Sequence, residues 1–114
     1  MSLQGDRKAI ADALSTVVGV TGYAKRPTTR KAGDGWPLLS SLERAAGLSF
    51  TVTWRVLILL PQDETKASEW IDVHHEDLVD ALEQAGFFVD RLEPVVLAAS
   101  GADQYALQIS MRSE

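Results

Sequence analysis

The chain contains no cysteine, and this absence excludes disulfide bonds, thiolate metal sites and cysteine nucleophiles. A long apolar segment is also missing. The longest uninterrupted apolar run covers residues 56–61, whereas a helix that crosses a bilayer needs about 20 apolar residues. The first residues contain Asp6 and no sustained apolar core, so they lack the pattern of a signal peptide. We therefore expect no membrane partner, and synthesis and assembly in the cytoplasm.

Common catalytic motifs are absent as well. The sequence contains no G-x-S-x-G elbow, no phosphate-binding G-x-x-x-x-G-K-[ST] loop and no G-x-G-x-x-G dinucleotide motif. His74 and His75 lie among carboxylates, but adjacent residues of a helix point about 100° apart and cannot jointly chelate a metal. We expect no enzymatic activity, no cofactor and no bound metal.

The composition is that of a folded acidic domain. The chain has 114 residues, 46% of them hydrophobic and 24% charged, which fits one domain over residues 1–114. Its net charge of −5 disfavours non-specific adhesion to nucleic acid or anionic lipid.

Hydrophobic periodicity predicts the main elements. Apolar residues recur at helical spacing over residues 4–18 and 64–85, and they alternate along a strand at 49–60. Residues 87–114 have the pattern of two strands joined by a turn at 100–103. These elements predict an α+β domain, with a largely antiparallel sheet and two helices packed on one face. The pattern leaves the strand order open.

Residues 20–47 are the least periodic part of the chain, because prolines and glycines interrupt them. We expect loop and edge strand here, with residues 22–26 and 36–40 pairing as a loose antiparallel hairpin. Residues 40–47 are expected to form a helical turn or a disordered tip.

Two charged segments are candidate contact surfaces. The first is a loop with four positive charges, and three interpretations stay open for it: a solvated loop, an arm that contacts phosphate, or a contact with an acidic surface. The second is the outer face of the predicted helix at 64–85. Trp54 and Trp70 are expected in the core, whereas Trp36, between glycine and proline, is a candidate interface anchor. The interface candidates are Lys25, Arg26, Arg30, Lys31 and Trp36 on one side, and Glu69, Asp72, Glu76 and Asp80 on the other.

Several features of the sequence occur in an order and spacing found in a known class of proteins. They are an opening helix that ends in a G-x-T-G-Y turn, an irregular glycine-containing stretch, an apolar strand that ends at a proline, a helix start with tryptophan, and a closing hairpin with a tyrosine strand. In this sequence the features are Gly19-Val20-Thr21-Gly22-Tyr23, Gly33-Asp34-Gly35-Trp36, Leu59-Leu60-Pro61, Ala67 with Trp70-Ile71-Asp72, and Tyr105 to Arg112.

In this arrangement the chain resembles the tail terminator (tail completion) proteins of long-tailed phages, especially the small versions from phages of actinobacteria. The resemblance implies a virion protein of the tail or neck that forms a ring, commonly a hexamer. Such a ring would cap the major tail tube protein, present a surface to the head-tail connector proteins, and let genomic DNA pass through its lumen without specific binding. It also implies no catalysis and no cofactor.

Two alternative functions stay open. Within virions, a head-closure or neck protein is another small ring-former of similar composition. From a different class, an α+β domain of this size can bind a small ligand between its sheet and helices and act as a regulatory module.

Overall fold

The computed structural model describes residues 3–28, 30–44, 47, 50–99 and 102–113. Within these residues the chain forms two helices and one five-stranded sheet. The elements are, in order, α1 (Leu3–Ser15), β1 (Thr21–Gly22), β2 (Asp34–Arg44), β3 (Phe50–Leu59), α2 (Glu64–Gln84), β4 (Phe88–Ala99) and β5 (Ala102–Ser113).

The sheet has the strand order β1-β2-β3-β5-β4. Its strand pairs are antiparallel, except that the short β1 runs parallel to β2. One register row crosses all five strands, because each of its members pairs with the next: Gly22, Gly35, Ile58, Leu107 and Pro94. We call this the transverse row. It fixes which parts of the two sheet edges lie at the same height along the strands.

Both helices pack on the same face of the sheet, as the sequence predicts. α1 lies against β1 and β2, and α2 lies against β4 and β5, with the two helices in contact. Burying apolar surface between these layers is the main source of stability, at about 25 cal/mol per Å². The core on this face contains Ile10, Leu14, Trp54, Val56, Ile58, Leu78, Leu82, Leu107, Ile109 and Met111. The α+β prediction is therefore confirmed, and so is the core position of Trp54.

The face of the sheet opposite the helices is also apolar, at the C-terminal end of β3. Trp36 pairs in register with Leu57, whose neighbour Ile58 faces the helices, so Trp36 and Leu57 lie on the other face. Trp36, Leu57 and Leu59 are nevertheless buried. This end of β3 is thus covered on both faces.

The helix ends differ slightly from the prediction. α1 stops at Ser15 because the next two amides, of Thr16 and Val17, bond to carbonyls three residues back, which tightens the last turn. The glycines expected to end the helices, Gly19 and Gly86, have positive φ angles of 86° and 100°.

The prediction for residues 20–47 is wrong in two respects. Residues 22–26 and 36–40 do not form an antiparallel hairpin, since β1 has two residues and pairs with β2 in parallel. Residues 40–44 are not a helical turn but the second half of β2, which pairs with β3 after a register shift between Leu39 and Ser41. Pairing with a long apolar strand outweighs the weak local pattern. Residues 45 and 46 lie outside the described residues.

The expected turn at 100–103 also needs correction. Ala102 belongs to β5 and pairs with Ala99, so the strands of the closing hairpin extend further than predicted. The remainder of that turn, residues 100 and 101, lies outside the described part of the chain.

The start of α2 depends on Asp63. Its carboxylate accepts a hydrogen bond from the Lys66 amide at 3.0 Å, which satisfies one of the free N–H groups of the first turn. We expect Asp63→Ala to lower the free energy of unfolding by about 1 kcal/mol in urea denaturation. Asp63→Asn keeps a side-chain acceptor and should lose much less. Equal losses from both substitutions would contradict the cap.

Candidate interaction surfaces

α2 carries an excess of negative charge, with seven carboxylates and a single lysine. Glu69, Asp72 and Glu76 are exposed, as the sequence predicts. Asp80 is exposed too, but it lies with Asp77 in a shallow hollow beside the end of α1. The four carboxylates recur every three or four residues, so they form one stripe along α2, and Asp80 is at the end of this stripe that borders α1.

The positive charges lie in the connection between β1 and β2. We call residues 23–28 and 30–33 the basic loop. Lys25, Arg26 and Lys31 are exposed, whereas Arg30 is half-buried. The loop leaves β1 next to α1, where Lys25 lies near Arg7 and Lys8. It then crosses to the face of the sheet that the helices leave open.

Trp36 is buried beneath this loop and does not reach the surface. Its relative exposure is 0%, and the guanidinium groups of Arg26 and Arg30 both lie 5.9 Å from its ring centroid. This corrects the expectation that Trp36 is an exposed interface anchor. The sequence could not show it, because the arginines that cover the ring come from a loop that folds back onto the sheet.

Arg30 has a structural role inside the chain. Its Nη1 donates to the Pro27 carbonyl at 3.4 Å, and its guanidinium covers Trp36. The turn after it is held by Asp34, whose carboxylate accepts from the Lys31 amide at 2.9 Å. The charges that remain open to solvent are those of Lys25, Arg26 and Lys31.

We expect Arg30→Ala to lower the free energy of unfolding by about 1–2 kcal/mol, because the ring of Trp36 loses one of the two guanidinium groups that cover it, together with its cation–π contact. Urea denaturation measures the loss, and a red shift in tryptophan emission would report the exposed ring. The matched control is Lys31→Ala in the same loop, which should change stability by less than about 0.5 kcal/mol. Similar values for the two variants would show that Arg30 does not cover the ring.

The two charged surfaces lie at opposite edges of the sheet. The basic loop connects β1 and β2 at one edge, and α2 covers β4 and β5 at the other. With five strands spaced by about 4.8 Å, the edges are about 19 Å apart. The two surfaces therefore do not neutralise each other within one chain, and each is available to a separate molecule.

The structure also shows a groove that the sequence pattern did not predict. It lies between the first half of α2 and the β4–β5 hairpin, with a volume of about 440 Å³. Val96 and Tyr105 in its wall are 57% and 38% exposed, so the apolar wall is open to solvent. We call it the β4 groove; its lining consists of Leu60, Glu64, Ala67, Ser68, Ile71, Pro94, Val95, Val96 and Tyr105.

The adjacent histidines have local partners. The Nδ1 of His74 bonds to the Trp70 carbonyl at 2.7 Å and that of His75 to the Ile71 carbonyl at 2.8 Å. The His74 ring also stacks on Trp70, with centroids 4.0 Å apart. Among the described residues, no group of three or more histidines and carboxylates could hold a metal ion. Neither helix in the described ranges has the length and apolarity to span a membrane.

Comparison with known proteins gives no family assignment. No protein-family model matches the chain, and no curated protein matches it.

Proposed function

We propose that the chain is a ring-forming tail terminator of a long-tailed phage, which caps the tail tube and provides the surface for head-tail joining. The observation that carries this proposal is the placement of opposite charges at opposite edges of one sheet. A basic loop at the β1–β2 edge of one copy complements the acidic α2 at the β4–β5 edge of the next. Such a contact is head-to-tail, so each copy keeps one surface free for a further copy until a ring closes.

The resemblance noted in the sequence supports the same function. A tail terminator acts by shape and surface charge, and it needs neither a catalytic cluster nor a cofactor. The net charge of −5 suits a channel through which DNA must pass without sticking, because like charges disfavour binding to phosphates. In this proposal, the partners are identical copies, the major tail tube protein and the connector proteins of the head, in a virion assembled in the host cytoplasm.

Assembly of the purified protein tests this function. Sedimentation velocity and negative-stain electron microscopy should show annular particles, either with the protein alone or after addition of major tail tube protein, and the rings should bind tube ends. A protein that stays monomeric in the presence of tubes contradicts the proposal. A protein that forms rings but binds only connector proteins would instead be a head-closure or neck protein.

One observation favours a second function from a different class. The β4 groove has a volume and an apolar wall that fit a small organic ligand, since such sites span about 300–1,000 Å³. A regulatory domain of this kind should show a rise in melting temperature with a member of a metabolite panel. It should also form no rings with tube protein.

A further inference from the structure

We infer that the β4 groove is the seat for the basic loop of the neighbouring copy, an assignment that rests on the ring proposed above. The partner of this surface is therefore a second copy of the same chain. The inference depends on the height of the two surfaces along the strands, on the chemistry of both, and on the closure that they allow.

The transverse row places the loop and the groove at the same height. At one end of the row is Gly22, and the basic loop begins at the next residue. At the other end is Pro94, which lines the groove. The C-terminal end of the loop lies at this height too, because the Gly33 amide donates a hydrogen bond to the Leu59 carbonyl at 2.8 Å. When two copies lie side by side in the same orientation, the basic loop of one copy therefore faces the β4 groove of the other.

The chemistry of the two surfaces is complementary. The groove is apolar along Ile71, Val96 and Tyr105, and it has the carboxylate of Glu64 among its lining residues. The loop offers Lys25 and Lys31, which are exposed and have long apolar stems with cationic ends. Lysine and arginine stems can cover the apolar wall while their charged ends stay near carboxylates at the rim.

The equal height of the loop and the groove along the strands also affects whether an assembly of copies can close into a ring. A head-to-tail contact between surfaces at different heights adds a translation at each step and gives an open helical filament, whereas a contact without translation lets a ring close. The loop and the groove differ by at most a few residues along the strands, since both lie next to the transverse row. A contact of this kind is compatible with a closed ring whose axis runs close to the strand direction.

The absence of cysteine makes a cross-linking test direct. Thr28→Cys and Val96→Cys put single thiols in the loop and in the groove wall, at exposed positions on opposite edges of the sheet. A bismaleimide with a spacer well below about 14 Å, the width of the three strand spacings between β2 and β4, cannot join them within a chain. The double variant should give a ladder of covalent multimers on a denaturing gel. Each single variant should run as a monomer on the same gel, because a loop contacts a groove and never a second loop, and a groove never contacts a second groove. Dimers of a single variant would overturn the inference.

A second pair of variants tests the groove without cross-linking. Ser68→Trp fills the groove at an exposed helix position, and Leu42→Trp places the same ring at an exposed position of β2, well along the strands from both the groove and the loop. We expect Ser68→Trp to weaken self-association about 30-fold in sedimentation, as for an interface hot spot, and Leu42→Trp to change it little. If the wild-type chain forms rings but neither the ladder nor this difference appears, the groove assignment fails and the ring remains. If the wild-type chain forms no rings with tube protein, the proposed function itself fails.

Discussion

Gly22→Ala is expected to destabilise the fold by about 3 kcal/mol, the upper range for forcing an extra group into a packed interior. A Cβ at this position would overlap the carbonyl oxygen of Ala11 in α1 and would lie 2.9 Å from the Cβ of Leu14. Neither atom can move aside alone, because the first is helix backbone and the second belongs to a fully buried residue. The substitution therefore has to separate α1 from the sheet, and urea denaturation followed by circular dichroism measures the loss.

Gly86→Ala is the control for the Gly22 prediction. Gly86 has a φ of 100°, and a Cβ added there would have no atom within 4 Å, so alanine meets backbone strain but no clash. We expect a loss of about 1–2 kcal/mol, the cost of the left-handed conformation for an ordinary residue. Equal losses at the two positions would mean that α1 does not press on Gly22.

The strong elements of the fold could be predicted from sequence because their own residues determine them. β3 alternates apolar and polar side chains over most of its length, and α2 has a cap at Asp63, an apolar stripe and a glycine after its last turn. Each of these signals is local. The predicted bounds of α2 and the predicted end of β3 agree with the structure to within a residue, and the predicted start of β3 at residue 49 lies outside the described residues.

A strand at residues 36–40 is expected, but the full length of β2 and its partners could not be predicted, because the stability of β2 comes from elsewhere in the chain. Pro37 lacks an amide donor and argues against a central strand. It is tolerated because β1 pairs only with Asp34 and Gly35, so no described strand lies beside Pro37 on that outer side. The long apolar β3 supplies the pairing on the inner side. A local pattern cannot report a partner as distant in the chain as Val56, which pairs with Pro37.

The strand order and the contact surfaces could not be predicted for the same reason, because they too depend on residues that are distant in the chain. β5 lies between β3 and β4 in the sheet. The chain therefore leaves β3, passes through α2 and enters β4 at the edge, and the gap between β3 and β4 is filled only by the last strand, β5. The β4 groove exists because of this arrangement, since it combines α2 with the closing hairpin. The charges of the basic loop and of α2 were visible in the sequence, but their separation to opposite edges depends on the complete sheet.

Charge reversal in the basic loop is expected to disperse the proposed ring. Lys25 and Lys31 are suited to it because both are exposed, whereas Arg30 covers Trp36 and its reversal would also disturb folding. An exposed ion pair contributes about 0.2–1 kcal/mol, and reversal replaces attraction by repulsion, so Lys25→Glu/Lys31→Glu should weaken each contact by about 1–3 kcal/mol. That corresponds to about 5–150-fold in the association constant of one contact.

The effect on a closed ring is larger than on one contact, because the same weakening occurs at every interface. We therefore expect Lys25→Glu/Lys31→Glu to sediment as a monomer at low salt, where wild-type protein forms rings. The control is Arg44→Glu/Arg55→Glu, which makes the same change in net charge at exposed positions of β2 and β3, outside both the loop and α2. This variant should still assemble, which separates a local contact from general repulsion.

A complementary reversal on α2 should restore assembly. Glu64→Lys/Asp72→Lys is expected to fail alone, because the two new lysines repel the basic loop of the next copy. Mixed with the loop variant, it gives two attractive contacts: the reversed loop meets the reversed helix, and the unreversed loop meets the unreversed helix. Rings of alternating variants should therefore form in the mixture. Rings that persist in the loop variant alone, or a mixture that stays monomeric while both variants fold normally, would show that the basic loop and α2 do not form the contact.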